Sequence, residues 1–277
     1  MATSKNWIVT GCTSGIGREI AMEALRRGHR VAATARKPQQ LAASLEKFGE
    51  RAFLLELDVT RNDSIEQALA KARDRFGSLD VLVNAAGLGL LAALEEASED
   101  QVRQIFETNF MGTARTIRAV LPYMRAQRSG YIINISSVGG FVTVPGFGYY
   151  HATKFALEGL SETLAQETRS FGIRVTIVVP GATRTNFDSS LITAAETESY
   201  QETVGKVRKL IRERNGSQAG DPAKCAIEIV NLTEYEEPPL HLFLGSDTVD
   251  KLRSKLDALR SELSQWETVS RRVTFET

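Results

Sequence analysis

Three side chains in the middle of the chain have the types and the spacing needed to protonate a carbonyl oxygen. Tyr150 is followed four residues later by Lys154, so on a helix the phenol and the ammonium share one face. Because a nearby ammonium favours the phenolate, we expect Lys154 to lower the pKa of Tyr150. Ser137 ends the apolar segment 131–137, where its hydroxyl can hydrogen-bond a substrate oxygen. The Tyr-x-x-x-Lys pattern alone is common by chance, so its meaning depends on the rest of the chain.

A glycine-rich turn near the start of the chain has the pattern of a phosphate-binding loop. The apolar segment 7–10 precedes it and the helical pattern of 18–25 follows it, which is the context that such a turn requires. Gly11 permits a sharp turn, Gly15 lets the backbone approach a pyrophosphate, and Gly17 lets helix and strand pack closely. The N-terminus of the following helix favours an anion. Taken alone, the segment also fits a strand–helix turn that binds nothing.

Together these motifs resemble those of the short-chain dehydrogenase/reductase family, over about residues 6–244. Segment 10–17 matches the family's T-G-x-x-x-G-x-G, segment 84–87 matches N-A-A-G, and segment 180–185 matches P-G-x-x-x-T. The family's catalytic set is matched in order and spacing by Asn109, Ser137, Tyr150 and Lys154.

The resemblance also implies the roles of these residues. Tyr150 would be the general acid, Ser137 would position the substrate oxygen, and Lys154 would bind the nicotinamide ribose. Asn109 would hold a water that links Lys154 to solvent. The cofactor contacts implied are Gly11, Thr13, Ser14, Gly15, Ile16, Gly17, Arg36, Asp58, Val59, Asn84, Ala85, Gly87, Tyr150, Lys154, Pro180, Gly181, Thr183 and Thr185.

The choice of cofactor depends on the end of the second apolar segment. An acidic residue there would bind the adenosine ribose and repel a 2′-phosphate. This chain has Ala35 followed by Arg36, and a guanidinium can bind a phosphate through two hydrogen bonds. We therefore expect NADP(H) as the cofactor. An ordinary surface charge is the alternative interpretation of Arg36.

Apolar segments and helical patterns alternate along the chain, which predicts an α/β fold. The buried segments with helical crossovers indicate a parallel sheet that is covered on both faces. We expect a single domain with a Rossmann-like, doubly wound, parallel seven-stranded sheet and an insertion over about 186–220. In such sheets ligands bind beyond the carboxyl ends of the strands, where the motifs above fall. The predicted strands are 7–10, 30–35, 52–57, 81–84, 131–135, 175–179 and 241–244.

A C-terminal helical extension is predicted over about 246–269. Its apolar residues recur at steps of three and four, which gives a helix with one apolar face. We expect this helix to pack on its own subunit; a helix that crosses to a partner is the alternative. These residues are Val249, Leu252, Leu256, Leu259, Leu263, Trp266 and Val269.

Composition narrows the function classes. The formal net charge is zero, so nothing indicates a nucleic-acid partner, and the three histidines are scattered, which argues against a zinc site. We therefore expect no metal. Because no long apolar run exists and the first strand begins near Asn6, we also expect no membrane span and a cytoplasmic location. The resemblance leaves a homodimer or a homotetramer open.

Apolar residues in the predicted loops indicate a hydrophobic substrate. They would line an apolar cleft, although packing against the core is an equal alternative for each of them. Together with the family resemblance, these residues predict an NADPH-dependent reductase of a hydrophobic ketone or aldehyde, which could also oxidise the alcohol. The alternative is a non-catalytic NADP(H)-binding regulator or scaffold. The apolar residues are Leu88, Leu90, Phe141, Val142, Val144, Phe147, Phe187 and Leu191.

Overall fold

The computed structural model describes residues 4–275, and its centre is a seven-stranded, wholly parallel sheet. The strands lie in the order β3-β2-β1-β4-β6-β7-β9, which reverses direction of travel beside β1. Two short strands, β5 and β8, form a separate parallel pair. The strands are β1 (Asn6–Val9), β2 (Arg30–Ala35), β3 (Ala52–Glu56), β4 (Val81–Asn84), β5 (Leu90–Leu91), β6 (Gly130–Ile135), β7 (Ile173–Pro180), β8 (Ile192–Thr193) and β9 (His241–Leu244).

Helices connect successive strands of the large sheet and cover both of its faces. Helices α4 and α5 are continuous through one widened turn, Glu107–Met111. The helices are α1 (Gly15–Arg26), α2 (Ala42–Leu45), α3 (Asn62–Phe76), α4 (Glu99–Phe106), α5 (Gly112–Gln127), α6 (Gly148–Thr168), α7 (Lys206–Arg214), α8 (Pro222–Asn231) and α9 (Ser246–Arg271).

Alternation along the central strands divides the core into two layers. In β1, Trp7 and Val9 pack with α1 and α8 on one face, whereas Ile8 packs with α3 and α5 on the other. Successive side chains of a strand point to opposite faces, and both faces here are buried by helices. This explains why the central strands are continuous apolar runs.

The predicted fold is confirmed: the chain is a single Rossmann-like α/β domain with seven parallel strands. The predicted bounds of β2, β4 and β9 agree with the structure, and the other strands differ by one or two residues at an end. The predicted insertion contains β8, which pairs with β5, and α7.

The C-terminal helix differs from the expectation that it packs on its own subunit. Helix α9 has 26 residues, but only its first two turns contact the body of the protein, through the buried Thr248 and the partly buried Val249 and Leu252. Residues 253–275 are exposed. The spacing of the apolar residues predicted the helix and its apolar face correctly, but it could not specify which surface would cover that face.

Candidate active site

A cleft of about 1300 Å³ runs across the carboxyl ends of the strands. It begins at the glycine-rich turn, passes the ends of β4 and β6, and reaches α6 and the insertion. All the predicted cofactor contacts except Asn84 line this cleft, and so do three of the four predicted catalytic residues. The lining residues among those predictions are Gly11, Thr13, Ser14, Gly15, Ile16, Gly17, Arg36, Asp58, Val59, Ala85, Gly87, Ser137, Tyr150, Lys154, Pro180, Gly181, Thr183 and Thr185.

The glycine-rich turn is built without room for side chains at two positions. Gly11 has a φ of 71°, and a Cβ there would lie 2.7 Å from the backbone of Ala86. At Gly17 a Cβ would lie 2.6 Å from the carbonyl oxygen of Gly11. Thr10 fixes the loop after β4 to this turn, since its hydroxyl accepts the amides of Ala85 and Ala86 at 3.0 and 3.2 Å. The turn therefore brings the bare N-terminus of α1 to the floor of the cleft.

The far end of the cleft carries a basic and an acidic side chain. Arg36 is exposed at the end of β2, and its charge acts on Asp58. Burial alone would raise the pKa of Asp58, but hydrogen bonds from the hydroxyl and amide of Thr60, together with Arg36, lower it. Asp58 is thus an anion held by its own loop, and Arg36 extends into the cleft mouth as an accessible cation.

Ser137 and Tyr150 meet where the strand β6 ends and the helix α6 begins. The Ser137 Oγ accepts the amide of Gly139 at 3.0 Å, so its hydroxyl hydrogen can be donated to Tyr150 or to a substrate oxygen. Burial raises the pKa of Tyr150 to about 12; the hydrogen bond with Ser137 opposes this, and the negative charge of Asp188 adds to it. Tyr150 is therefore a protonated phenol at neutral pH.

Lys154 does not lower the pKa of Tyr150 as the sequence led us to expect. Its Nζ donates to the carbonyl oxygen of Ile135 at 2.9 Å and lies 5.8 Å from the centre of the Tyr150 ring. Burial lowers the pKa of Lys154 to about 8, and Glu158 opposes that shift. The expectation considered only the attraction between two charges; desolvation of each group is the larger effect in this buried site.

Two predicted site residues have their side chains turned into the protein. The Asn84 amide donates to Asn134 at 2.8 Å and its oxygen accepts the Thr116 hydroxyl at 2.6 Å. Asn109 binds both the amide and the carbonyl of Leu88, at 2.7 and 2.9 Å. The Asn109 side chain therefore holds the loop after β4 in place, and the Asn84 side chain joins the end of β4 to β6 and α5. The predicted roles of Asn84 as a cofactor contact and of Asn109 as a water site stay predictions, and they require main-chain atoms.

His151, the residue after Tyr150 on α6, supports the site. Its Nε2 accepts the amide of Val144 at 3.0 Å, so Nδ1 carries the hydrogen and donates to the carbonyl of Gly139 at 2.9 Å. Burial lowers its pKa, which keeps the ring neutral. The imidazole therefore connects both ends of the loop after Ser137 to α6. No spacing rule identifies such a loop contact in advance.

A second overlooked group lies behind Lys154. Glu158 is buried, accepts the hydroxyl of Ser136, and has its other oxygen 3.3 Å from the Nε2 of His241. Glu162 lies 3.4 Å from the same nitrogen, and the two carboxylates raise the pKa of His241. The spacing of 150, 154 and 158 on one helical face was a signal for Glu158.

The substrate end of the cleft has aromatic walls. Phe147 and Phe187 lie beside Tyr150, with ring centres 5.9 and 5.5 Å from it. Leu88, Val142 and Val144 also line the cleft as predicted. Phe141 differs, because its ring packs on His241 and Phe243. Leu90 and Leu191 pack in the small core under the insertion.

The residues present fit a dinucleotide cofactor. The turn at Gly11 and Gly17 excludes side chains, the N-terminus of α1 favours a phosphate, and the cleft continues from there to Tyr150. The cation of Arg36 lies at the opposite end from the phenol.

Among residues 4–275, no helix is both long and apolar enough to cross a bilayer.

Comparison with known proteins agrees with this geometry. The family model described as "short chain dehydrogenase" matches residues 5–196. Oxidoreductase BOA17 of Botryotinia fuckeliana is 39% identical over 96% of this chain and 98% of its own. The 3-ketodihydrosphingosine reductase of Bacteroides thetaiotaomicron is 39% identical over 86% of this chain and 87% of its own.

Solved structures show the same relationship. A short-chain dehydrogenase from Streptomyces avermitilis is 45% identical, with a TM-score of 0.92 over 99% of this chain and 100% of that one. Other structures of similar fold were solved with NAD or NADP bound. With a matching family model over most of its length and a glycine-rich turn, serine, tyrosine and lysine in one cleft, this chain belongs to the short-chain dehydrogenase family of oxidoreductases.

Proposed function

We propose that the protein is an NADPH-dependent reductase of hydrophobic ketones or aldehydes, with Tyr150 as its general acid. The observation that carries this proposal is the buried Tyr150 beside Ser137 and Lys154, in a cleft whose other end presents Arg36. A protein that only binds the cofactor would not require a phenol, a hydroxyl and an amine around one point.

When bound, the nicotinamide cofactor supplies a hydride for the carbonyl carbon. The Tyr150 hydroxyl donates its proton to the carbonyl oxygen, so that the product is an alcohol. The Ser137 hydroxyl, whose oxygen already accepts Gly139, donates a hydrogen bond to the same oxygen. General acid catalysis of this kind contributes on the order of a hundred- to ten-thousandfold.

Two cations would hold the cofactor at its two ends. Lys154 would bind the nicotinamide ribose hydroxyls through the Nζ hydrogens that Ile135 does not use. Arg36 would bind the 2′-phosphate of the adenosine ribose, since its side chain is exposed and Ala35 offers no competing acid. This distribution of charge supports NADP(H) over NAD(H).

The walls of the cleft support an apolar substrate. Phe147, Phe187 and Val142 surround the approach to Tyr150, and such walls favour a carbonyl with a large hydrocarbon part. One relative is named 3-ketodihydrosphingosine reductase, and the reduction of a keto group is consistent with this proposal.

The test is oxidation of NADPH by the purified protein with a panel of carbonyl compounds, from small polar ketones to alicyclic and long-chain ones. We expect turnover to rise with apolar size and to fall at least a hundredfold in Tyr150→Phe, with cofactor affinity nearly unchanged. Tyr149→Phe is the matched control and should lose much less. NADPH binding without turnover on any member of the panel would support the regulator or scaffold instead.

A further inference from the structure

The exposed part of α9 carries an apolar stripe that no other segment within residues 4–275 covers. Leu256, Leu259, Leu263 and Trp266 are 51, 46, 66 and 54% exposed. They follow one another on a helix that extends past the body of the protein for about 30 Å, at about 1.5 Å per residue. Four large apolar side chains in a row on a solvent-exposed surface indicate an interaction site.

The stripe has the spacing of a coiled-coil seam. From Val249 the residues at heptad positions a and d are Val249, Leu252, Leu256, Leu259, Leu263 and Trp266, with steps of three and four. A stripe confined to these two positions is the narrow type that packs against one other helix. The flanking e and g positions are mostly charged, as at the edges of a coiled coil: Arg253, Lys255, Arg260, Glu262 and Glu267.

Charge argues against a lipid surface as the occupant. Segment 246–271 has five acidic and five basic residues. A helix that lies on an anionic membrane carries an excess of lysine and arginine on its polar face. The balanced charges of α9 instead suit a partner of the same composition, and another copy of this chain provides one.

The flanking charges also select the direction of pairing. In a parallel pair, Lys255 faces Arg260 of the partner subunit and Glu262 faces Glu267 of the partner subunit, so every flanking charge pair is repulsive. In an antiparallel pair centred on Ser261, Arg253 faces Glu267 of the partner subunit on both sides of the axis. Only Arg260 and Glu262 then approach their own symmetry mates.

The same axis also matches the exposed apolar residues with one another. Centred on Ser261, Leu256 meets Trp266 of the partner subunit, and Leu259 meets Leu263 of the partner subunit. The pairing uses residues 253–269 and leaves free the first two turns of α9, which pack on their own body through Thr248, Val249 and Leu252. A two-fold arrangement of this kind closes on itself and leaves no further exposed stripe.

We propose that the exposed part of α9 is a dimerisation element, which pairs antiparallel with α9 of a second copy of this chain about a two-fold axis at Ser261. The association does not depend on the proposed activity, because the pairing lies outside the cleft.

Molar mass in solution, measured by light scattering after gel filtration, tests the association. We expect Leu259→Glu with Leu263→Glu to halve the molar mass of the wild-type assembly while NADPH binding stays within twofold. The matched control is Ala258→Glu with Gln265→Glu, which adds the same charge on the outer face and should leave the molar mass unchanged. A wild-type monomer at tens of micromolar, or an unchanged mass in the first variant, overturns the proposal.

Disulfide cross-linking tests the direction. A mixture of one subunit carrying Leu259→Cys and a second, tagged subunit carrying Leu263→Cys should give mixed dimers under mild oxidation, whereas each variant alone should not cross-link beyond the wild-type level. Cross-linking of Leu259→Cys with itself would indicate a parallel pair and overturn the antiparallel assignment. Binding of the wild type to phosphatidylserine vesicles, lost in Leu259→Glu with Leu263→Glu and without any dimer, would assign the stripe to a membrane.

Discussion

Tyr150 and Lys154 are both buried, and burial disfavours the charged form of each side chain, the phenolate of Tyr150 and the ammonium of Lys154. Burial raises the pKa of Tyr150 to about 12 and lowers the pKa of Lys154 to about 8. At neutral pH the free enzyme therefore holds a protonated phenol beside an ammonium whose pKa is only slightly above the pH of the solution. Under the proposed mechanism, this state suits proton donation to a carbonyl and makes the reduction sensitive to pH through Lys154.

We expect kcat/KM for NADPH, measured with a saturating carbonyl substrate, to fall as pH rises through about 8. The folded pKa of Lys154 is depressed, so above it the amine is neutral and loses its attraction for the cofactor, while Tyr150 keeps its proton until about 12. The pH profile of kcat/KM reports groups of the free enzyme and is the measurement. Melting temperatures over the same range serve as the control for unfolding. A rate that stays flat to pH 10 would contradict the lowered pKa of Lys154.

Arg36 determines the second prediction at this scale. Replacing Ala35 by Asp together with Arg36 by Ile removes the cation and adds an acid, so the ratio of kcat/KM with NADPH to that with NADH should fall at least tenfold. The control is Arg61→Ile, which removes a nearby cation that pairs with Asp63 instead. A wild-type enzyme that already uses both cofactors equally would refute the role of Arg36.

The sequence identified the residue types at the site better than their directions. Ser137, Tyr150 and Lys154 were predicted to share one site and do line one cleft. Asn84 and Asn109 match the same motifs, yet their amides are hydrogen-bonded inside the protein. A motif fixes the position of a residue along the chain, but the side chain turns toward whichever partners the packed fold provides. The spacing of Tyr150 and Lys154 likewise could not predict their pKa values, because these depend on how deeply the packed fold buries each group.

At the scale of elements, one buried ion pair holds the insertion to the body. Arg208 of α7 lies 2.6 Å from Glu96, with both side chains almost fully buried. Glu96 also accepts the amides of Ala93 and Thr197, at 2.7 and 2.8 Å. Burial would raise the pKa of Glu96, but these bonds and Arg208 lower it to about 2. The pair therefore connects the loop after β5 with both halves of the insertion.

Replacing Arg208 by Met should open the insertion, because it leaves the buried Glu96 carboxylate without its cation. Breaking a buried pair from one side costs about 3–5 kcal/mol. We expect faster proteolysis within 186–220 and a higher KM for the carbonyl substrate, with the NADPH dissociation constant little changed.

The matched control is Lys206→Met. Lys206 lies on the same helix as Arg208 and pairs with Glu202 on the surface, so its replacement should change proteolysis and KM little. Because the folded pKa of Glu96 is depressed, the stabilisation by the pair is present above the ordinary value of 4.5 and is lost as pH falls through about 2. Equal proteolysis of both variants would mean that the pair does not hold the insertion.

The elements themselves were largely predictable, whereas their contacts over long distances were not. β2, β4 and β9 could be bounded from sequence because they are apolar runs flanked by turn residues. The ion pair joins residues 112 positions apart, and neither Glu96 nor Arg208 has a local signal. Charged residues in a polar insertion resemble solvated ones until the fold brings them together.

At the scale of the whole molecule, the C-terminal segment has two parts with different roles. The first turns of α9 belong to the cleft: Asp247 accepts the amide of Ala182 at 3.3 Å, Thr248 is fully buried, and Lys251 lines the cleft. The part beyond Leu252 is exposed and carries the apolar stripe. Removing the whole segment would thus affect cofactor binding and association together, so the two parts must be separated by where the chain is cut.

Two truncations separate them. A chain ending at Arg253 keeps Asp247, Thr248 and Lys251, so its melting temperature and NADPH dissociation constant should stay close to those of the wild type, while its assembly mass falls. A chain ending at Gly245 also loses the carboxylate that holds Ala182 in the loop after β7, and should bind NADPH several-fold more weakly and melt at a lower temperature. Both are measured by thermal melting, NADPH titration and light scattering. A lower melting temperature of the chain that ends at Arg253 would show that its own subunit needs the exposed stripe. Removal of a solvated or partner-bound segment leaves the core of that subunit intact.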